Sequence, residues 1–190
     1  MGSLIDILGS FAIGGMVVLM IIAFNLKMQE DSRETFSNQN VQGNTASSAE
    51  VFDYYFYKIG YKAPGEKIIY ADSNSIKFAA DINNDGTPDT TRFFLGPKSE
   101  MSNTENPDDM KLYRQDNSAA PVLADIVTQF NLTYYDSLNA EINYSVLGSS
   151  SERSKIRGIK INLKIESQDK SGDYFPVVEW QKLIRPKNLI

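Results

Sequence analysis

An uncharged apolar run, Ile7 to Phe24, lies almost at the start of the chain, and no second run of this kind follows it. At about 1.5 Å rise per residue, a helix over it spans roughly 27 Å, close to the hydrocarbon thickness of a bilayer. The run is apolar around its whole circumference, whereas a helix on a soluble domain needs a polar face. It predicts one membrane helix. Met1 to Asp6 holds no Lys or Arg, and Asn25, Leu26 and Lys27 offer no small-residue cleavage site. A retained anchor is therefore expected rather than a removed secretory signal.

The rest of the chain is long enough for one globular domain and too short for two comfortable ones. Its net charge of -5, with 24 acidic against 19 basic residues, argues against nucleic acid, whose phosphates reward clustered Lys and Arg. Cysteine is absent, which excludes disulfides, thiolate metal sites and a cysteine nucleophile. Histidine is absent too, removing the commonest general base and metal ligand. No catalytic constellation stands out, and the chain is not expected to be an enzyme.

Beyond the anchor, Lys27 to Ser48 is polar and contains no proline, so a helix can continue through it. Its weakest stretch is Asn44 to Ser48, and a break near Gly43 to Ser48 is the alternative. Ala49, Phe52, Phe56 and Ile59 then recur at intervals of three and four, one face of an amphipathic helix, with Gly60 as its stop. After Pro64 the pattern turns strand-like over Lys67 to Ala71, Ser75 to Ile82, Thr90 to Leu95 and Lys111 to Arg114. Ser99 to Asp109 reads as a surface loop, and Pro121 to Asp125 as a short turn or helix. Ile126 to Tyr135 is β-rich, and Ile159, Ile161, Leu163 and Ile165 alternate with polar residues as a half-buried strand. With no crossover helices between strands, the sheet should be mainly antiparallel. The expected fold is α+β: a long N-terminal helix, membrane-embedded over 1–24 and amphipathic over 25–60, laid on a β-rich domain over 61–190.

Four groups of residues are candidate sites. Asp6 places a carboxylate at the mouth of a membrane helix, which is costly without a partner. It suits pairing with a positive group of another subunit, though the helix dipole also favours an acid there. Ser10 and Gly14 form a small-xxx-small pair, with Gly9 and Gly15 adding places where helix backbones can approach closely. Asp81, Asn83, Asp85, Thr87 and Asp89 repeat oxygen side chains at alternate positions around Gly86, like the first nine positions of an EF-hand calcium loop. Arg92 stands where that loop's bidentate Glu belongs. The competing reading is a hairpin turned by Asn84, Asp85 and Gly86. Tyr54, Tyr55, Tyr57, Tyr134 and Tyr135 are expected in core and rim, and Asp108 and Asp109 in solvent on their loop.

Taken in order, these parts resemble a type IV pilin-like protein, specifically a minor pilin or minor pseudopilin of the larger kind. Gly2-Ser-Leu-Ile-Asp6 and the apolar run resemble the mature pilin start, and Tyr57 to Tyr61 its helix end. Asp81 to Leu95 resembles the strand, Asp/Gly-rich turn, strand unit of the family. Lys111 to Arg114, Val122 to Val127 and Phe130 to Asp136 resemble its central strands, and Arg185-Pro-Lys-Asn-Leu189 its ending. With Gly2 as the first mature residue, Asp6 falls where the family has the acid that neutralises a neighbour's terminal amine. The resemblance implies a structural subunit that helps initiate or cap a type IV pilus or type II secretion-like filament. Its implied partners are other pilin or pseudopilin subunits, met through the N-terminal helix, and an inner-membrane assembly platform. It implies a single-pass inner-membrane location with the domain extracytoplasmic, although Lys27 and Arg33 taken alone would place that domain inside. The alternative is an anchored extracytoplasmic binding module that never polymerises and presents the Asp81 to Asp89 loop, with calcium as the one cofactor in view.

Overall fold

In the computed structural model, which describes residues 2–189, helix α1 (Gly2–Tyr57) runs unbroken for 56 residues, about 84 Å at the α-helical rise. Met1 and Ile190, the outer bounds of the expected segments, lie outside the described residues. The weak stretch near Gly43 stays helical for two reasons. Thr45 Oγ1 donates to Val41 O at 2.8 Å and Ser47 Oγ to Gly43 O at 3.0 Å, so these hydroxyls bond within the helix instead of capping it. Val41, Thr45 and Ser48 are also buried against the domain, and tertiary packing outweighs propensity. The buried stripe therefore starts at Val41 and passes through Thr45, Ser48, Phe52 and Phe56 to Ile59; Ala49, expected within it, is only half-buried.

The helix stops where the sequence places the stop. Gly60 has φ +76, the left-handed conformation that glycine adopts at helix ends, and its N–H donates to Ala79 O at 2.9 Å. A Cβ at this position would lie 2.9 Å from the Lys67 side chain.

The domain holds two antiparallel sheets rather than one. The first is a five-stranded meander of β1 (Ile68–Ala71), β2 (Ser75–Ala80), β3 (Asp89–Leu95), β4 (Met110–Asp116) and β5 (Val122–Val127), each paired with the next. The second has β6 (Gln129–Tyr135), β7 (Glu141–Ile142), β8 (Gly158–Glu166) and β9 (Val177–Ile184) in the order β7-β6-β8-β9. A four-residue helix, α2 (Ser150–Arg153), precedes β8. As the alternation requires, Ile159, Ile161, Leu163 and Ile165 of β8 are buried.

One expectation fails here for an identifiable reason. Pro121 to Asp125 is not a turn or helix: β5 begins at Val122, and because β5 is an edge strand the proline just before it costs no ladder bond. Ile126 to Tyr135 is β-rich as expected, divided between the end of β5 and β6. At Thr128 the backbone N–H (2.9 Å) and the hydroxyl (3.3 Å) both donate to Lys164 O, and there the chain leaves the first sheet for the second. The sheets meet again where Leu132 N donates to Ser73 O at 2.7 Å and Tyr134 Oη to Asp72 O at 2.9 Å.

Helix α1 closes the seam between the sheets. The Phe52 ring, 1% exposed, lies 5.5 Å from Phe93 of β3, 5.5 Å from Phe130 of β6 and 6.1 Å from Trp180 of β9. One helical side chain thus touches both sheets. At the far end, the Lys67 ammonium donates to Asn188 O, Asn188 Nδ2 reaches Ile59 O at 3.4 Å, and Leu189 is buried. The Arg185 to Leu189 ending is therefore folded onto the end of α1.

Candidate functional site

The largest unsatisfied surface of the molecule is the first half of α1. From Ser3 to Arg33 every residue is exposed, including Leu4, Ile5, Leu8, Phe11, Leu19 and Met20. The helix has an apolar stretch long enough to cross a membrane, none of it covered by the domain. Exposed apolar surface of this extent marks a membrane or protein contact. Glycines at 9, 14 and 15 have open space around them, so the helix offers shallow places for a neighbouring backbone. Ser10 Oγ donates to Ile7 O at 2.9 Å, and this hydroxyl asks for no outside partner. Asp6 lies on the same bare segment, and among the described residues it forms no ion pair.

Where the helix reaches the domain it is tied down by polar contacts. Ser48 donates its hydroxyl to Asp125 at the edge of the first sheet; burial pushes the Asp125 carboxyl up, and the Ser48 hydroxyl and Ile126 amide oppose it. Asp53 accepts from Lys182 Nζ at 2.6 Å on β9. Tyr174 donates to Glu34, and Ser37 to Ser167 Oγ at 2.9 Å. An open cleft of about 510 Å³ lies between α1 and the loop after β8, lined by Leu26, Arg33, Phe36 and Lys170 among others.

Asp81 to Asp89 joins β2 to β3 as a hairpin connection, with Asn84 (φ 62) and Gly86 (φ 91) in the left-handed region. Asp81 is fully buried, and its Oδ2 accepts from Lys62 Nζ at 3.0 Å and from Gly86 N at 3.1 Å. Burial pushes its carboxyl up, but Lys62 and the amides of Gly86 and Asn84 outweigh that and hold it below the usual carboxylate value. Asp81 Oδ1 has no partner. Asn83 Oδ1 accepts from Asp85 N at 3.0 Å and Asp85 Oδ1 from Thr87 N at 2.7 Å, so these oxygens serve the turn itself. Asp89 is drawn away to Asn117 Nδ2 at 2.8 Å, and Thr87 is exposed. The loop thus brings Asp81, Asn83 and Asp85 together and not the whole set of five, and Lys62 already supplies a positive charge at Asp81.

The tyrosines divide between core and rim. Tyr134 is buried while Tyr54 and Tyr57 are exposed. Asp108 is exposed and pairs with Lys98 Nζ at 2.6 Å, as its loop position suggests. Asp109 does not follow it: it is buried at 1% exposure, and neither carboxylate oxygen has a hydrogen-bond partner. Strand β9 with Trp180 is not among the expected strands, although Val178, Trp180, Lys182 and Ile184 alternate with more exposed residues as a strand should.

Comparison of the chain with family models, with curated proteins and with solved structures finds no match.

Proposed function

We propose that this chain is a structural, minor subunit of a type IV pilin-like filament, a minor pilin or minor pseudopilin, held in the inner membrane by α1 until it assembles. The observation that carries this reading is the bare apolar surface of residues 3–24, continuous through one rigid helix with the stripe that organises the whole domain. A flexible linker would let an anchored domain wander. An unbroken helix instead fixes the domain's position and rotation relative to the apolar segment, which is what stacking identical or related subunits around a common axis demands. In this reading the same surface faces lipid first and other subunits' helices afterwards, through Asp6, Ser10, Gly14 and Gly15. The remaining exposed carboxylates and tyrosines are solvated surface, and the chain has no catalytic task.

Cell fractionation tests this. In cells assembling such filaments, antibody against the domain should find the chain both in the inner membrane and in the sheared filament fraction. Confinement to the membrane while filaments assemble normally would overturn the proposal in favour of a lone anchored binding module.

A further inference from the structure

A cavity of about 350 Å³ opens at the end of α1 remote from the apolar stretch, lined by Glu66, Lys67, Ser150, Arg153, Ser154 and Arg157 among others. Glu66 and Lys67 lie between the Gly60 stop and β1, and the other four on α2 and the turn leading from it to β8. The pillar of the cavity is Arg153, whose side chain is only 10% exposed. Its Nη1 donates to Leu147 O and Gly148 O, both at 2.9 Å, its Nε to Ile68 O at 3.1 Å, and its Nη2 to Glu66 Oε1 at 2.6 Å. These bonds tie β1, an edge strand of the first sheet, to the α2 segment and fix the wall. The Arg153 guanidinium holds the Glu66 carboxyl below its usual value against the opposing effect of burial, so Glu66 is an anion at neutral pH.

The other two cations of the lining are not spent. Arg157 Nη1 donates to Ser154 O at 2.7 Å and to Ile156 O at 2.9 Å, whereas its Nε and Nη2 have no hydrogen-bond partner among the described residues. Lys67 gives one N–H to Asn188 O and keeps the rest of its donors. Among the described residues neither Arg157 nor Lys67 meets a carboxylate. Both are half-buried, and a charge partly withdrawn from water is costlier unpaired than one on open surface. With three cations and one anion the lining carries +2, in a chain whose net charge is -5. The guanidinium offers a planar fork that paired oxygens fill, and the ammonium a point charge. A phosphate monoester, at about −1.5 to −2 near neutral pH, balances this lining, which a singly charged carboxylate or phosphodiester does not. The volume falls within the range of about 300–1,000 Å³ for small-molecule sites, and one enclosed cavity is not the basic stripe that nucleic acid requires.

We propose that this cavity binds the phosphate group of a small phosphate monoester, with Arg157 Nε and Nη2 donating to its oxygens, Lys67 Nζ supplying the second charge and the Arg153–Glu66 pair forming the wall. The site stands apart from the helix surface assigned to assembly and does not depend on that role.

The test is calorimetric titration of the full chain in detergent micelles, at low salt and near neutral pH, with glycerol 3-phosphate, inorganic phosphate and the singly charged diester dimethyl phosphate. Glycerol 3-phosphate should give saturable heat that weakens as NaCl is added, and the other two should bind more weakly. Arg157→Gln and Lys67→Met should each weaken glycerol 3-phosphate binding by at least about tenfold, the low end for loss of a charge-assisted hydrogen bond. Lys98→Gln, which removes a cation outside the cavity, should leave it unchanged. Glu66→Gln removes the anion of the lining and should tighten binding, a gain that a damaged fold cannot mimic, so it decides the matter if the other variants fail to fold. No heat with the wild type would overturn the proposal, as would binding that Arg157→Gln and Lys67→Met both keep, or a folded Glu66→Gln that binds no more tightly. Equal affinity for dimethyl phosphate or for inorganic phosphate would overturn the assignment to a monoester.

Discussion

Replacing Phe52 by Ala should cost about 3–5 kcal/mol of domain stability, the range for truncating a fully buried phenylalanine. Against a total of about 5–15 kcal/mol for a typical domain, this is enough to leave many molecules unfolded. The reason is position as well as size. Phe52 touches Phe56 on its own helix, Phe93 in the first sheet, and Phe130 and Trp180 in the second. Helix α1 packs against β5 of one sheet and against β8 and β9 of the other, so a cavity at Phe52 closes only if α1 moves. The protein carries a single tryptophan, and Trp180 stacks on Phe52 at 6.1 Å, so denaturation followed by tryptophan fluorescence reads this contact directly. Phe36→Ala is the matched control: Phe36 is 69% exposed, and its loss should change stability by less than about 0.5 kcal/mol. A Phe52→Ala midpoint equal to wild type would show that the helix does not hold the sheets together.

The second large effect is functional. Asp6→Ala should abolish entry into filaments and leave membrane insertion and the Trp180 signal unchanged. At the mouth of the helix an ionised Asp6 stays near the membrane interface, but a filament core packed with apolar helices would bury it, which is costly without a partner. Asp6 is tolerable there if it meets a positive group, and the basic side chain nearest to it in sequence is Lys27, about 31 Å along the helix. In the proposed filament the partner comes from a neighbouring subunit, whose terminal amine has the right charge. Without the carboxylate that amine would be left unpaired in the proposed filament, and neighbouring helices would lose their register. Normal amounts of Asp6→Ala in sheared filaments would remove the pairing from the account.

Much of this architecture is legible in the sequence, because it rests on patterns that survive without tertiary information. The apolar run, the Phe52, Phe56 and Ile59 face, the glycine stop and the β8 alternation each follow from one local rule. The misses are of another kind. Val41, Thr45 and Ser48 join the helix stripe only because the domain reaches back to them, and polar side chains carry no periodic apolar signal. The passage from one sheet to the other at Thr128 depends on a carbonyl 36 residues away. Asp109 shows the limit most clearly. Its neighbour Asp108 is the same residue type on the same loop, yet one side chain reaches Lys98 in solvent and the other is enclosed beside Glu166. At the Asp81 hairpin the spacing fits both a calcium loop and a turn, and it carries no sign of Lys62, nineteen residues upstream, which sits on the buried acid.

The central claim is that residues 3–24 exchange lipid for other subunits' helices. It is tested most directly by placing a photoreactive phenylalanine analogue at position 17, in the middle of the apolar run, and irradiating the membrane and sheared filament fractions separately. The account predicts lipid adducts in the membrane fraction and, in the filament fraction, protein adducts whose cross-linked peptides map to the apolar N-terminal helix of a neighbouring subunit. Lipid adducts alone in both fractions would contradict it.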